Sequence, residues 1–559
     1  GKGLKDLVRN YPFVFDVSEK EEIGGFNIDS NEESTIEFEI LPPDVDAPEI
    51  GIIDSGIMEN HKYLAPAIKS QNSKSYVNYN PFTTDEVLGG GHGTKVAGAV
   101  LYPYGISNIN SDYQLPCFVR NIRVLDKDNA LIHKFPAELM TQIINDNDDC
   151  TVFNLSINSK APFRKKHMSS WAATIDSLIH NNRIMFIISA GNIDKQDIRH
   201  YLNSGVDYPN YLNSPLCGLA NPAQSSFGLV VGSINHSFYE DGNWKSLGGQ
   251  LDVSAYSRIG NGIWDHIKPD VVEYGGGLVS SKNGVNSVRE NEENAYSKDS
   301  VGTSFATPKV THIVAQLLKL YPNEDINLIK ALVIQGARLP KDLFLNPTNI
   351  GIKQLGYGLP SIERVTNNTT ERITFYNTET LAAEEGRIYS LKIPENLRNQ
   401  ADEYDILIEV TLTYTAEVRR TRQKTKSYLS TWLDWTSSYL EEPLMDFTAR
   451  VIKEIEEEEI EHIKGSGTII PWKIRENKDW GKVQDLSRNN STTQKDWAII
   501  KSYQLPEELN FSVRGHKSWD KNFEPVPFAL VVSIEALNEN IDVYESIRIE
   551  NEIELPVEV

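Results

Sequence analysis

Gly302-Thr303-Ser304-Phe305-Ala306-Thr307-Pro308 runs directly into Val310 to Leu320, whose apolar residues recur with helical spacing. A glycine lets the backbone turn sharply. A serine placed next, at the head of a helix, has its Oγ exposed and its backbone N–H directed at whatever the Oγ attacks. Pro308 fits this start, because near the first turn it costs at most the opening hydrogen bond of the helix. Taken alone, small residues before a helix are a cap. The flanking sequence decides whether they are also a nucleophile's seat.

Upstream, apolar runs of strand length occur at Glu49 to Asp54, Phe118 to Leu125, Thr151 to Ile157, Ile184 to Ala190 and Leu229 to Ser233. Segments of helical period lie between several of them, at Thr94 to Leu101, Ala137 to Asn145 and Trp171 to Asn181. Continuous apolar strands alternating with helices predict an α/β fold with a parallel sheet covered on both faces. Ligands of such sheets sit beyond the carboxyl ends of the strands. Before this section, residues 1–48 are mixed and acidic, with one alternating segment, Thr35 to Leu41, that reads as an edge strand, then the breaker Pro42-Pro43.

Downstream, the alternation stops near Tyr357-Gly358-Leu359-Pro360. From about residue 366 the pattern is period-two, as in Ile406 to Tyr414 and Phe528 to Glu535, and predicts a C-terminal β-rich domain of sandwich or jelly-roll type. Asp446 to Lys464 carries an apolar helical stripe and a glutamate-rich outer face, which places one inserted helix in it. The expected division is therefore 1–48, 49–365 and 366–559.

At 559 residues the chain needs more than one core, and its net charge of −23 repels phosphate backbones, which excludes nucleic acid as the main partner. No run approaches the roughly 18 apolar residues of a membrane span, and the first residues do not read as a secretory signal. Cys117, Cys150 and Cys217 lie scattered in apolar contexts and read as buried thiols of a reducing compartment. A cytoplasmic location is expected, with secretion the alternative if a leader has been removed.

Four strand ends or helix starts carry reactive groups. Asp54 ends the first long strand, His92 sits in Gly89-Gly90-Gly91-His92-Gly93-Thr94, Asn192 follows a strand in Ser189-Ala190-Gly191-Asn192, and Ser304 heads its helix. A serine hydroxyl needs a base to take its proton, and that base needs an orienting partner. With these residues the chain resembles the subtilisin-like serine proteases. The matching pieces are Ile53-Asp54-Ser55-Gly56, Gly91-His92-Gly93-Thr94 followed by Val96-Ala97-Gly98, and Gly302-Thr303-Ser304 with Pro308. Their order Asp, His, Ser is that of subtilisins. Asn154-Leu155-Ser156, Asn221-Pro222-Ala223, Lys268-Pro269-Asp270-Val271 and Gly356-Tyr357-Gly358 agree as well.

The resemblance covers about residues 49 to 365 and implies a serine endopeptidase: Ser304 nucleophile, His92 general base and acid, Asp54 orienter, Asn192 side chain and Ser304 N–H as oxyanion donors. It implies that an extended polypeptide substrate pairs with Asn129-Ala130-Leu131 and Ser156-Ile157-Asn158, close to Gly191. The family favours glycine where this chain has Asn129, Leu131 and Asn158, so side chains there are expected to narrow the cleft. Ile193 to Ala220 reads as an enlarged loop beside the first specificity pocket. His312 reads as a core histidine and His61 as structural, neither as the base. The chemistry requires no cofactor, and no metal ligands are assigned; Asp85, Asp126 and Asp128 are the candidates for a structural calcium.

The C-terminal half resembles the tail of a bacterial intracellular subtilase subgroup encoded beside an AAA-type ATPase, which implies such an ATPase as partner. Its basic run Arg419 to Lys426 reads as a solvated hairpin arm, and His516 as a loop residue. Two rivals to the endopeptidase stand: a silent or partner-regulated effector with a protease fold, and a serine esterase. The first is kept open by the substituted cleft and by an N-terminal segment shorter than the family's inhibitory prodomain.

Overall fold

The structure, a computed structural model, describes residues 22–24, 39–106, 109, 111–281, 287–290, 293–294, 297–298, 300–398, 403–422, 425–456, 467–474, 491–537 and 541–552. Strand β1 (Ile23–Gly24) comes first and stands apart from the main sheet. Seven strands make that sheet: β2 (Glu49–Asp54), β3 (Lys74–Ser75), β4 (Phe118–Arg123), β5 (Val152–Leu155), β7 (Met185–Ser189), β8 (Leu229–Ile234) and β9 (Val271–Tyr274). Their order is β9-β8-β7-β5-β2-β4-β3, and every pairing is parallel. The five long apolar runs all became strands, while the two edge strands, β3 and β9, lie outside them. β6 (Asn158–Ser159) follows β5 and pairs with β1.

The apolar runs are continuous because both faces are buried. Ile53, Phe153, Phe186 and Ile188 point to one core, shared with α2 (Pro136–Asp146) and α3 (Ser170–Asn182) through Leu139, Ile143, Trp171 and Ile175. Ile50, Ile52, Val152, Ile187 and Val231 point to the other, shared with α1 (His92–Leu101) and α5 (Thr303–Leu320) through Val96, Val100, Val310 and Ile313. Each such side chain contributes about 1.5–3 kcal/mol relative to exposure. The sheet therefore has helices on both faces, as in subtilisins. Between α3 and α5, the segment expected as an enlarged loop holds α4 (Lys195–Asn203) and two 3₁₀ turns, with Tyr201 stacked on Tyr211 at 5.3 Å.

The C-terminal half adds two antiparallel sheets. One has the order β10 (Arg372–Leu381), β16 (Val526–Leu537), β12 (Asp405–Tyr414), β14 (Thr493–Lys501); the other β11 (Gly386–Lys392), β15 (Glu508–Lys517), β13 (Thr431–Ser437). Ile406, Ile408, Val410, Leu433, Trp435, Phe511 and Val513 form a core common to both. The inserted helix, α7, runs Leu444–Glu456; residues 457–464 of its expected span lie outside the described residues. A terminal helix, α8 (Val543–Glu552), was not expected. Of the expected N-terminal edge strand, Ile40–Leu41 pairs with Tyr113–Gln114, and residues 35–38 lie outside the described residues.

Period-two alternation in β12 suggests a wet outer face, but the structure buries both. The polar residues of that face dock on α6 (Ile326–Gly336): Thr411 Oγ1 donates to Gln335 Oε1 at 2.5 Å, and Thr413 Oγ1 to the Asn327 carbonyl at 2.7 Å. Glu409, fully buried, meets Arg364 at 3.0 Å, Lys495 at 3.2 Å and Arg338 at 3.5 Å. Lys495 Nζ also donates to the carbonyls of Ile334, Gln335 and Ala337 at 3.1, 3.0 and 2.6 Å, satisfying the open end of α6.

Burial alone would raise the Glu409 pKa, but Lys495 and the arginines more than offset it and bring it to about 2 from the ordinary 4.5. A carboxyl group lowered on folding stabilises the folded state above its unfolded pKa and loses that contribution as pH falls through the folded one. Glu409→Ala is expected to destabilise the protein by about 3–5 kcal/mol at pH 7, because it strands buried cations. The difference from wild type in urea unfolding should shrink between pH 4.5 and 2; a constant difference would refute the linkage.

Candidate active site

Asp54 is the last residue of β2, and its carboxylate is 1% exposed. A buried carboxylate needs donors. Asp54 Oδ1 accepts from the Ser55 N–H at 2.7 Å and faces His92 Nδ1 at 2.7 Å. His92 opens α1, whose second residue makes the approach close: a Cβ on Gly93 would lie 2.3 Å from the Gly56 carbonyl oxygen and 3.0 Å from Asp54 Cβ. Only glycine lets the helix start sit against the strand end. Asp85 clamps the same junction, accepting from Ser55 Oγ at 3.0 Å and from Thr94 N and Oγ1 at 2.9 Å each.

His92 is wholly buried, which disfavours the imidazolium, but the Asp54 charge and hydrogen bond outweigh this and raise its pKa above 6.5; Asp85 adds to the effect. With Nδ1–H given to Asp54, Nε2 is the basic nitrogen, and among the described residues it has no hydrogen-bond partner. Phe305 lies against the ring with centroids 5.6 Å apart.

Ser304 is the second residue of α5, with Gly302 at φ +155° just before it. Its Oγ donates to the Ser156 carbonyl at 3.0 Å and makes no hydrogen bond to His92. Beneath it, Ser156 Oγ donates to the Ser304 carbonyl at 3.2 Å, Asn154 Nδ2 to Ser156 Oγ at 2.9 Å, and Thr311 Oγ1 to Asn154 Oδ1 at 2.9 Å. Asn192 joins the site from the end of β7: its Oδ1 accepts from Thr303 N at 2.9 Å and Thr303 Oγ1 at 3.1 Å. That commits the oxygen and leaves Nδ2 as the amide's donor. Thr303 was given no role from the sequence, since a threonine in the first turn of a helix carries no signal of its partner.

The two segments expected to pair with substrate form opposite walls of one groove, and the chain's own β1 lies between them. Gly24 pairs with Asn158 and Ile23 with Ser159, antiparallel; the Ile23 carbonyl accepts from Leu131 N at 3.0 Å, and the Glu22 carbonyl from Lys160 N at 2.8 Å. Asn129 stands at φ +57°, a conformation asparagine tolerates and for which glycine is the usual choice. Ala130 N donates to Asp126 Oδ1 at 2.9 Å, Ile157 is buried, and Gly191 turns at φ +98°. Asn158 does not narrow the groove as expected: its amide donates to the Ser189 carbonyl at 2.7 Å and accepts from Ser189 Oγ at 2.5 Å.

Other histidines and acids are engaged elsewhere. His312 Nδ1–H donates to the Val100 carbonyl at 2.8 Å, and burial lowers its pKa to about 4, so it is a neutral core residue. Asp126 accepts from its own loop, and Asp128 faces Lys127 at 3.0 Å. Among the described residues no group of three acidic, histidine or cysteine side chains is placed to hold a metal ion. His516 is not a loop residue; it lies on β15, stacked on Trp432 at 3.7 Å and bonded to Asp434 at 2.9 Å. In the basic run, Arg419 covers the Trp519 ring at 3.5 Å, and Arg420 Nε donates to the Met168 carbonyl at 3.2 Å.

The buried aspartate–histidine pair stands at a parallel strand end, and its histidine ring lies against Phe305, the residue after Ser304 at the start of α5. The sequence pattern of the subtilase family matches residues 46–370, more than half of the chain, and the chain belongs to that family of serine endopeptidases, whose substrates are polypeptides. The uncharacterised protein y4bN of Sinorhizobium fredii (strain NBRC 101917 / NGR234) is 28% identical over 306 residues, covering 50% of this chain and 70% of the relative. Among solved structures, a lanthipeptide protease has 18% identity, covers 57% of this chain and 87% of its own, and gives a TM-score of 0.38. A cold-adapted subtilisin-like serine proteinase has 18% identity, coverages of 56% and 86%, and a TM-score of 0.33. No described helix is long and apolar enough to cross a membrane.

Because Asp54 holds up the His92 pKa against burial, Asp54→Asn is expected to bring it below 6.5. Titration of the His92 ring by NMR checks this; an unchanged midpoint would mean that the shift has another source.

Proposed function

We propose that the chain hydrolyses peptide bonds with Ser304 as nucleophile, His92 as general base and acid, Asp54 as its orienting partner, and Asn192 Nδ2 with the Ser304 N–H as oxyanion donors. The observation that carries this reading is the buried 2.7 Å contact between Asp54 and His92, which leaves Nε2, without a partner among the described residues, to receive the serine proton. Rotation of Ser304 Oγ from the Ser156 carbonyl toward His92 precedes attack, and such contacts commonly tighten only with substrate bound. His92 then returns the proton to the leaving amine, and water repeats the cycle on the acyl-enzyme. The chemistry needs no metal or cofactor. A groove whose walls pair with an extended chain suits peptides better than simple esters.

A second reading, a protease under regulation, is favoured by one observation: β1 occupies the groove in which a substrate strand would pair. Catalysis then requires that Glu22 to Gly24 be displaced. An AAA-type ATPase would be one agent of displacement, and the three buried, unpaired cysteines suit a reducing compartment.

A fluorophosphonate probe should label the protein once, and Ser304→Ala should abolish labelling; labelling that persists in the mutant would refute the nucleophile. For hydrolysis, kcat/KM should rise with pH with a midpoint above 6.5, since only neutral His92 accepts the proton and Asp54 raises its pKa. A flat profile between pH 5 and 8 would remove His92 as base. Ile23→Asp, which places a charge where a buried side chain lies, should raise kcat/KM on a short peptide by about tenfold or more if β1 blocks the groove. An unchanged or lower value would overturn the regulated reading.

A further inference from the structure

Arg258 is nearly buried, at 4% exposed, and belongs to no part of the proposed proton relay. It follows Ser257, which bridges to Asn192, and its backbone N–H donates to the Gly191 carbonyl at 3.0 Å. Its side chain then joins three segments of the chain. Nε donates to the Asn192 carbonyl at 3.0 Å, Nη1 to the carbonyls of Leu216 at 2.8 Å and Gly218 at 3.0 Å, and Nη2 to the carbonyl of Lys160. Each of these acceptors is backbone, and among the described residues no carboxylate lies within ion-pair distance. Burial accordingly lowers the Arg258 pKa.

The segments joined are not neighbours in sequence. Asn192 carries the proposed oxyanion donor. Lys160 lies just beyond β6, and Leu216 and Gly218 lie midway along the segment between α4 and β8. The planar guanidinium suits this task because its donors leave in fixed, diverging directions, which an ammonium cannot reproduce. Gly191 makes room for it: a Cβ there would lie 2.9 Å from Arg258 Cδ and 2.8 Å from Ala220 Cβ, and the φ of +98° would strain a side chain in any case. A buried charge with only carbonyl partners is an unusual structural device, since an apolar side chain would fill the space at less desolvation cost. Its placement on the Asn192 carbonyl points to the site.

We propose that Arg258 is a positioning residue for catalysis: its guanidinium holds the Asn192 main chain and ties it to Lys160, just beyond β6, so that the Asn192 amide is preset for the developing oxyanion. The inference rests on the assignment of Asn192 as oxyanion donor. Thr303 fixes Asn192 at the side-chain oxygen and Arg258 fixes it at the main-chain oxygen. A donor aimed at a charge that exists only in the transition state must be held in place beforehand, because reorganisation during the reaction cancels its benefit.

The test is a kinetic double-mutant cycle on the full chain with a peptide substrate, using Arg258→Gln, Asn192→Ala and the double variant, each checked for folding by its thermal midpoint. Arg258→Gln is expected to lower kcat by about 10- to 100-fold with KM within about threefold of wild type. In the Asn192→Ala background the same change should lower kcat by less than about threefold, because the residue it acts through is gone. Should Arg258→Gln not fold, Arg258→Lys carries the same cycle, with a smaller loss expected because charge is kept and the fork is lost. Additive losses, an effect on KM alone, or wild-type kcat in Arg258→Gln would overturn the inference while Asn192 keeps its role. Unchanged kcat in Asn192→Ala would overturn the donor assignment itself, and the inference with it.

Discussion

The contact between Asp54 and His92 is the constraint on which the site depends. Two groups that would each be costly to bury alone are buried together, and the cost is offset only if they meet at hydrogen-bonding distance. That requires the carboxyl end of β2 and the first turn of α1 to touch, which Gly93 permits and which Ser55 and Asp85 secure through side-chain and backbone bonds. The sheet supplies the fixed end of this arrangement. β2 lies in its interior, with β5 on one side and β4 on the other, so its last residue cannot drift.

The β-rich half extends the same body. Its four-stranded sheet is covered on one face by its own second sheet and on the other by α6, the helix that follows α5. Tyr428 Oη reaches Asp176 at 2.9 Å, and Thr492 Oγ1 reaches the Ser226 carbonyl at 2.7 Å, so the junction extends to the α3 side as well. Polar pairs such as these hold one register, because a slip would leave buried charges and carbonyls without partners. The C-terminal sheets thereby become part of what supports α5 and α6.

The segments proposed to bind substrate already spend backbone donors on the chain itself. Leu131 N and Lys160 N are satisfied by β1. A backbone strand is recognised through groups that every peptide carries, so in the regulated reading proposed above a segment of the chain itself would compete with a substrate, and its tethering would give it the higher effective concentration. Asn158, turned onto Ser189, leaves room for such a strand.

Much was legible in the residues taken in order. Apolar runs that are not interrupted by polar residues specify strands buried on both faces, and the reactive groups at their ends could be read because α/β sheets gather such groups along one edge. Local spacing also set Ser304 at a helix start. Tertiary structure alone decided which donors meet which acceptors: that Thr303 holds the Asn192 oxygen, that Asp85 joins strand to helix, that Arg258 spans three segments, and that β1 enters the groove. The polar face of β12 marks the same limit, since alternation says only that a face is polar, and water and a docked helix satisfy it equally well. Partners distant in sequence are fixed by packing in three dimensions, and a one-dimensional pattern carries period and composition without saying what lies opposite.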